Sequence, residues 1–201
     1  MIYEIKKTAV INRKTRVMIS SVMKAVKEDV IMKKKVFQLL VDNTSGVLSR
    51  ISGLFSRRGY NIESITAGTT ADARITRITI VASGDDEILK QIEKQVAKLE
   101  DVRDVKELKP DSSVYRELAL IKVKVSAKER QGVIAVADIF RANIIDVSPE
   151  GLIIELTGNQ DKVDAFLSLL EGYEILELAR TGIAGLRRGT EDIVYLDLDN
   201  E

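Results

Sequence analysis

The amino-acid sequence predicts an α+β fold made of two tandem ferredoxin-like βαββαβ domains. Predicted strands and helices follow one another in the same order twice, with a repeat of roughly 80 residues. A polar segment that begins Lys-Pro-Asp-Ser-Ser, residues 109–114, separates the two copies and has little to bury. The predicted helices carry apolar residues on one face, so we expect them to pack on one face of an antiparallel sheet.

The first domain is predicted to span residues 32–108. It begins with a strand over 33–41, because Val-Phe-Gln-Leu-Leu-Val is an almost unbroken apolar run. A helix over 46–58 follows, since apolar residues recur at i, i+1, i+4, i+7 and i+8, and Gly59 is suited to a left-handed helix end. The remaining predicted elements are strands near 61–69 and 74–83, a helix near 85–100 capped within Ser-Gly-Asp-Asp, and a strand at 102–107.

The second domain is predicted to span residues 115–189 and to repeat this order. Its first strand, 117–126, alternates apolar and more polar residues, as half-buried strands do. Residues 143–147 correspond to 61–65 of the first domain, and Ser-Pro-Glu-Gly at 148–151 predicts a type I turn. The remaining predicted elements are a helix with Val133, Val136, Ala137 and Phe140 inward, a strand at 152–157, a helix with Val163, Phe166, Leu167 and Leu170 inward, and a strand at 174–179.

Composition argues against several classes of function. Acidic and basic residues number 31 each, so net charge gives no general attraction to nucleic acid or to an anionic membrane. The absence of Cys and His excludes disulfides, thiolate metal sites, Ser–His triads and most zinc sites. No apolar run approaches the ~18 residues of a membrane span, and no signal-peptide pattern is present. We therefore expect a non-catalytic cytoplasmic protein that binds no metal, nucleic acid or membrane.

The polar loop between the first strand and the first helix is the best candidate for a small-ligand site. Gly46 lets a ligand approach the free N–H groups of the helix start, which are partly positive and suit a carboxylate. Asn43 or Asp42 can take the ammonium group of an amino acid, while Ser45 or the preceding Thr can cap the helix. The alternative is an ordinary strand-to-helix connection with good capping residues.

The corresponding loop of the second domain has a different character. Residues 126–132 read Ser-Ala-Lys-Glu-Arg-Gln-Gly, which puts charged side chains where the first domain offers an open polar loop. We therefore expect a ligand at the first domain only.

Two sequence blocks carry a resemblance to a known family. One is the run Asn-Thr-Ser-Gly-Val-Leu-Ser-Arg with Gly-Leu-Phe and Arg-Gly-Tyr-Asn-Ile-Glu-Ser, all within residues 42–65. The other is Ala-Arg-Thr-Gly-Ile-Ala-Gly-Leu-Arg-Arg-Gly at 179–189. Over residues 33–189 the chain resembles the small, regulatory subunit of acetolactate synthase, also called acetohydroxyacid synthase. The resemblance implies that the first domain is an ACT domain.

This resemblance implies a function and a set of partners. It implies a regulatory subunit that activates the catalytic large subunit and confers feedback inhibition by valine, in branched-chain amino acid biosynthesis. Thiamine diphosphate, Mg²⁺ and FAD would lie on the large subunit, with no cofactor on this chain. The family forms a homodimer through the ACT domain and binds its effector at the dimer interface. The free edges of a four-stranded sheet also favour such pairing.

The resemblance also assigns residues to the effector site. Asn43, Gly46 and Asn61 occupy matching positions of the family motif and are carried over as effector contacts. Asp42 stands where many members have Glu. The full set of effector-site residues predicted is Asp42, Asn43, Ser45, Gly46, Val47, Leu48, Asn61 and Ile62.

The block at 179–189 is interpreted as a flexible basic segment that docks on the large subunit. Its glycine spacing matches no phosphate-binding loop, and a turn-rich tail is the alternative. The predicted docking residues are Thr181, Gly182, Gly185, Arg187 and Arg188.

Both chain ends lie outside the resemblance. Residues 1–31 have helical apolar spacing and could form an added helix or reflect an overextended start of translation. Residues 190–201 form an acidic tail.

Two other classes of function remain open at this point. A free-standing ACT-domain amino-acid sensor or transcriptional regulator would lack a large subunit, and no helix-turn-helix or basic excess supports it. A self-sufficient enzyme would need convergent Asp, Glu, Lys or Ser residues, and none is evident.

Overall fold

The computed structural model describes residues 33–190, so the predictions for residues 1–31 and for the acidic tail beyond Thr190 lie outside the described residues. The first domain contains β1 (Lys33–Asp42), α1 (Val47–Arg58), β2 (Asn61–Thr69), β3 (Ile75–Gly84), α2 (Asp86–Val96) and β4 (Val102–Leu108). A 3₁₀ turn, Pro110–Ser112, leads to β5 (Ser113–Lys124), α3 (Arg130–Phe140), β6 (Asn143–Ser148), β7 (Gly151–Gly158), α4 (Gln160–Leu169), β8 (Glu174–Arg180) and β9 (Ala184–Arg187). None of the described helices is long and apolar enough to span a membrane.

Each domain is an antiparallel sheet with two helices packed on one face, which confirms the predicted fold class. The strand order is β2-β3-β1-β4 in the first domain and β6-β7-β5-β8 in the second, so corresponding strands occupy corresponding places. In the first core, Phe37 and Leu39 pack against the helix residues Ile51 and Phe55. In the second core, Phe166 of α4 meets Phe140 of α3 edge to face, with ring centres 5.3 Å apart.

The largest differences between the structure and the sequence-based boundaries lie at three places. Helix α2 ends at Val96, several residues before the predicted end near residue 100. Strand β5 begins at Ser113, inside the segment predicted as a linker. The first residues of β5, 113–116, pair with β9, a strand that the sequence analysis did not predict.

Residues 181–187 cross the face of the first sheet that the helices leave open. A row of side chains from all four strands lies there, formed by Ser64, Val81, Val36 and Leu108. A Cβ atom on Gly182 would lie 2.9 Å from Ser64 Cβ, and one on Gly185 would lie 2.7 Å from Leu108 Cδ1. Between them, Ile183 is only 3% exposed.

This arrangement corrects the interpretation of the 179–189 block as a flexible segment. The Thr66 hydroxyl donates to the Thr181 carbonyl at 2.9 Å, and the Tyr115 hydroxyl donates to the Leu108 carbonyl at 2.5 Å. Glycines that looked like signs of flexibility instead allow the backbone to approach the first sheet closely. The block holds the two domains together.

The internal repeat extends to irregularities in the edge strands. Each of the four edge strands carries one extra residue opposite its neighbour, which is a β-bulge. In β2 and β6 the extra residues are Glu63 and Ile145, and in β4 and β8 they are Arg103 and Leu176. The first domain therefore places charged residues at these positions, and the second places apolar ones.

Candidate functional site

Helix α1 begins with free backbone donors at the loop after β1. Gly46 is the N-cap residue and has a left-handed conformation, with φ 89°, and no side chain caps the helix. The prediction that Ser45 or Thr44 caps α1 is therefore wrong. The left-handed turn at Gly46 replaces a capping side chain, and the first N–H groups are left without a side-chain acceptor.

An arginine that the sequence analysis missed lies beside this helix start. A Cβ atom on Gly46 would lie 3.0 Å from Arg50 Nη1, so the guanidinium group borders the space above the glycine. Arg50 is held by Asp101, with Nε to Oδ2 at 2.5 Å and Nη2 to Oδ1 at 2.7 Å. The hydrogen bond from Arg50 lowers the pKa of Asp101 below its usual range. One turn of helix separates Gly46 from Arg50, and that spacing is the signal that could have revealed the arginine.

The side chains of Asp42 and Asn43 fix the loop to the rest of the domain. Asp42 accepts from Arg103 at 2.7 Å. Asn43 donates to the Ala73 carbonyl at 2.8 Å and accepts from the Thr76 hydroxyl at 3.0 Å. Asp42 and Asn43 thus tie the loop to β3, β4 and the turn before β3, and both side chains already have partners in the chain.

The apolar residues predicted for the site differ in their exposure to solvent. Val47 is 4% exposed and belongs to the core of the first domain, so its side chain is not available to a ligand at the surface. Leu48 is 48% exposed. Ser45 is also exposed, next to Gly46.

Asn61 and Ile62 lie far from this loop in the same chain. Asn61 Nδ2 donates to Ser83 Oγ at 2.9 Å, whereas Asn43 bonds to Thr76. Thr76 and Ser83 lie towards opposite ends of β3. At about 3.3 Å per residue their separation is roughly 23 Å, too far for one amino acid to touch both ends. A single chain therefore does not bring together the eight predicted effector-site residues.

The equivalent loop of the second domain contains a charged side chain that bonds to the loop itself. The Glu129 carboxylate accepts from the Ser126 backbone N–H at 3.1 Å and from the Ser126 hydroxyl at 2.6 Å. These bonds lower the pKa of Glu129. A Cβ atom on Gly132 would lie 2.5 Å from the Tyr173 hydroxyl, so Tyr173 covers this side of α3. The loop that is uncharged at this point in the first domain carries a carboxylate of the chain itself in the second.

The five predicted docking residues divide into two groups. Gly182 and Gly185 are buried in the contact between domains, and Thr181 bonds both to Thr66 and to the backbone of β5. Arg187 and Arg188 are exposed beside the contact. Within residues 33–190, no group of three or more potential metal-binding side chains is clustered.

Comparison with known proteins gives consistent matches over both domains. Residues 37–104 match the family model "AHAS small subunit-like ACT domain", and residues 116–189 match "Small subunit of acetolactate synthase". A probable acetolactate synthase small subunit from Methanothermobacter thermautotrophicus is 49% identical over 156 residues, covering 77% of this chain and 93% of the relative. The isozyme 3 small subunit of Salmonella typhimurium is 47% identical, with 78% and 96% covered.

A solved structure agrees with these sequence matches. The acetolactate synthase small subunit from Thermotoga maritima superimposes with a TM-score of 0.73 at 42% identity. The match covers 79% of this chain and 99% of that one.

Proposed function

Because the chain belongs to the acetolactate synthase small-subunit family, we propose that it activates a separate catalytic large subunit and makes it sensitive to feedback inhibition by valine. The chain itself would be non-catalytic. Thiamine diphosphate, Mg²⁺ and FAD would be bound by the large subunit, and this chain would contribute the effector site of the complex.

The observation that carries the proposal is the open start of α1. Its free N–H groups and Arg50 Nη1 border the same space above Gly46, and both favour a carboxylate. In the second domain the corresponding loop carries the carboxylate of Glu129, which disfavours a second anion there. A free amino acid would therefore place its carboxylate at Gly46, in the first domain.

The rest of the effector site would come from a second copy of the chain. Asn61 lies roughly 23 Å along the sheet from the loop, yet its place in the family motif assigns it to the effector. In a two-fold dimer formed through the exposed edge strand β2, opposite ends of the two sheets meet. Asn61 and Ile62 of one copy would then lie beside Gly46 and Leu48 of the other. Leu48 and Ile62 would supply the apolar contacts for valine.

The charge requirement at Gly46 can be tested with two isosteric variants. Asp and Asn both tolerate a left-handed conformation better than other residues with a Cβ atom, so Gly46→Asp and Gly46→Asn differ mainly in charge. The aspartate carboxylate would compete with that of valine. We expect the valine concentration for half-inhibition of the large subunit to rise at least ~10-fold more in Gly46→Asp than in Gly46→Asn, which corresponds to ~1.4 kcal/mol.

The measurement is large-subunit activity against valine with each small subunit, after both variants are shown to fold and to activate. Equal valine sensitivity of the two variants would mean that the carboxylate of valine does not bind at Gly46.

The two-copy site can be tested by mixing two defective chains. Gly46→Asp damages the loop, and Asn61→Ala damages the β2 end. If each site combines the loop of one copy with β2 of the other, a mixed dimer contains one intact site and one doubly damaged site. We expect co-expressed variants to regain part of the valine inhibition that each lacks alone.

The comparison is the activity of the large subunit with each variant alone and with the co-expressed pair. If the site were formed within one chain, every copy in the mixture would stay defective and no inhibition would return.

A further inference from the structure

The ion pair between Arg50 and Asp101 has no counterpart in the second domain. Helices α1 and α3 are each followed by a residue in the left-handed conformation, Gly59 and Arg141. Nine residues before these positions stand Arg50 in the first domain and Gly132 in the second. Because glycine has no side chain, α3 cannot make this ion pair. The second domain builds the same fold without it, so the pair is not a requirement of the fold.

The pair fixes the direction of a cation. The Arg50 side chain is 48% exposed, and exposed ion pairs add little to the free energy of unfolding. Asp101 nevertheless holds the guanidinium group at two points, Nε and Nη2, whereas an unpaired arginine side chain samples many rotamers. Asp101 is fixed in turn, because its backbone carbonyl accepts from the Asp42 N–H at 2.9 Å.

One edge of the guanidinium group points away from Asp101. Within residues 33–190, the hydrogen bonds of the Arg50 side chain are those of Nε and Nη2 with Asp101, and Nη1 makes none. A Cβ atom on Gly46 would lie 3.0 Å from Nη1. The N–H groups of Nη1 therefore face the place proposed for the effector, and such donors bind a carboxylate strongly.

We propose that Asp101 is a positioning residue of the effector site, which orients Arg50 so that Nη1 binds the α-carboxylate of the effector. This inference rests on the proposed function, because it assumes an amino-acid effector at Gly46. It adds a basis for selectivity. Effectors need a free α-carboxylate, and an analogue with the same side chain and ammonium group but a neutral end binds weakly. Asp101 does not touch the effector and acts only through Arg50.

The test compares valine with valinol, in which a hydroxymethyl group replaces the carboxylate. The measurement is the concentration of each compound that half-inhibits the large subunit in complex with this chain. For wild type, the valine value should be at least ~10-fold lower than the valinol value, since hydrogen bonds between charged groups are strong. In Arg50→Gln the valine value should rise at least ~10-fold, and the valinol value should stay the same.

Asp101→Asn should raise the valine value about 3- to 10-fold, because Arg50 must then be ordered when the effector binds. In the Arg50→Gln background the same change should have no further effect, since a positioning residue acts only through its partner. Asp86→Asn is the matched control. Asp86 forms an exposed ion pair with Lys33 in the same domain, at 2.6 Å, and its loss should change neither value.

All variants are first shown to fold by circular dichroism and to activate the large subunit. An unchanged valine value for Asp101→Asn would overturn the inference. Equal weakening of valine and valinol would also overturn it, because that result shows a general loss of structure around the site. Failure of the proposed function would look different, since the wild-type complex itself would then be insensitive to valine.

Discussion

Glu117 and Arg180 form an ion pair that is unlike the others on the molecule. Glu117 is only 3% exposed, and Arg180 donates to both of its oxygens, at 2.6 and 2.9 Å. Arg180 also donates to Asp164 at 3.0 Å. The hydrogen bond to Glu117 raises the pKa of Arg180 above its usual value. By contrast, Lys122 and Glu177 pair with both side chains exposed to solvent.

We expect Arg180→Ala to destabilise the chain by about 3 kcal/mol, because it leaves a buried carboxylate without its partner. Lys122→Ala should cost less than ~1 kcal/mol, since exposed pairs contribute little. Urea unfolding followed by circular dichroism gives both free energies. Similar losses for the two variants would mean that burial of Glu117 does not set the strength of its pair.

At the level of residues, the sequence predicted local features better than distant partners. The exposed helix start at Gly46 follows from a glycine placed before an apolar helical pattern. Arg50 was missed because its position depends on Asp101, a partner 51 residues away. Local spacing already put Val47 on the apolar face of α1, which packs in the core, but it could not show that Asn61 lies at the far end of the sheet.

Two helices of the first domain begin in different ways. The Asp85 side chain caps α2 by accepting from the Ile88 N–H at 2.7 Å, and two acidic residues follow in the first turn. Helix α1 has no side-chain cap and no acidic residue in its first turn. The chain supplies its own side-chain acceptor at the start of α2, whereas the start of α1 has none.

Removing each potential cap should therefore have different effects. Asp85→Ala should destabilise the chain by about 1 kcal/mol, the usual cost of losing an N-cap. Ser45→Ala should change stability by less than ~0.5 kcal/mol, because Ser45 does not cap α1. Thermal and urea unfolding of both variants measure the two changes in the free energy of unfolding. A loss at Ser45 as large as that at Asp85 would mean that Ser45 caps the helix in solution.

At the level of elements, regular patterns were predicted well and tertiary pairings were not. The helices and the strands of both sheets follow from apolar periodicity, as in the alternation along β5. Strand β9 was missed because Ala-Gly-Leu-Arg has no strand pattern of its own. It forms because the early part of β5 extends beyond β8 and offers a free edge. The glycines of residues 179–189 were interpreted as signs of flexibility because the local sequence does not show that this segment packs on the first sheet.

For the whole molecule, the predicted family and the two-domain α+β fold are confirmed. The repeat predicted each domain but not their contact, since packing between domains leaves no periodic trace in the sequence. Residues 181–187 join the domains through a close fit at Gly182 and Gly185. Through Thr181 and Gly182 this segment contacts Thr66 and Ser64 of β2, the strand that begins with Asn61.

The same crossing segment sets an order of events during synthesis of the chain. The bond between Thr66 and Thr181 joins residues 115 positions apart. The first domain is complete at Leu108, but the row of Val36, Val81 and Leu108 is covered only when residues 181–187 have been made. At about 5–20 residues per second this interval lasts roughly 4–16 s. During this interval the apolar strip of the first domain stays uncovered, and residues 181–187, the last strand-forming segment of the part of the chain that the structure describes, then cover it.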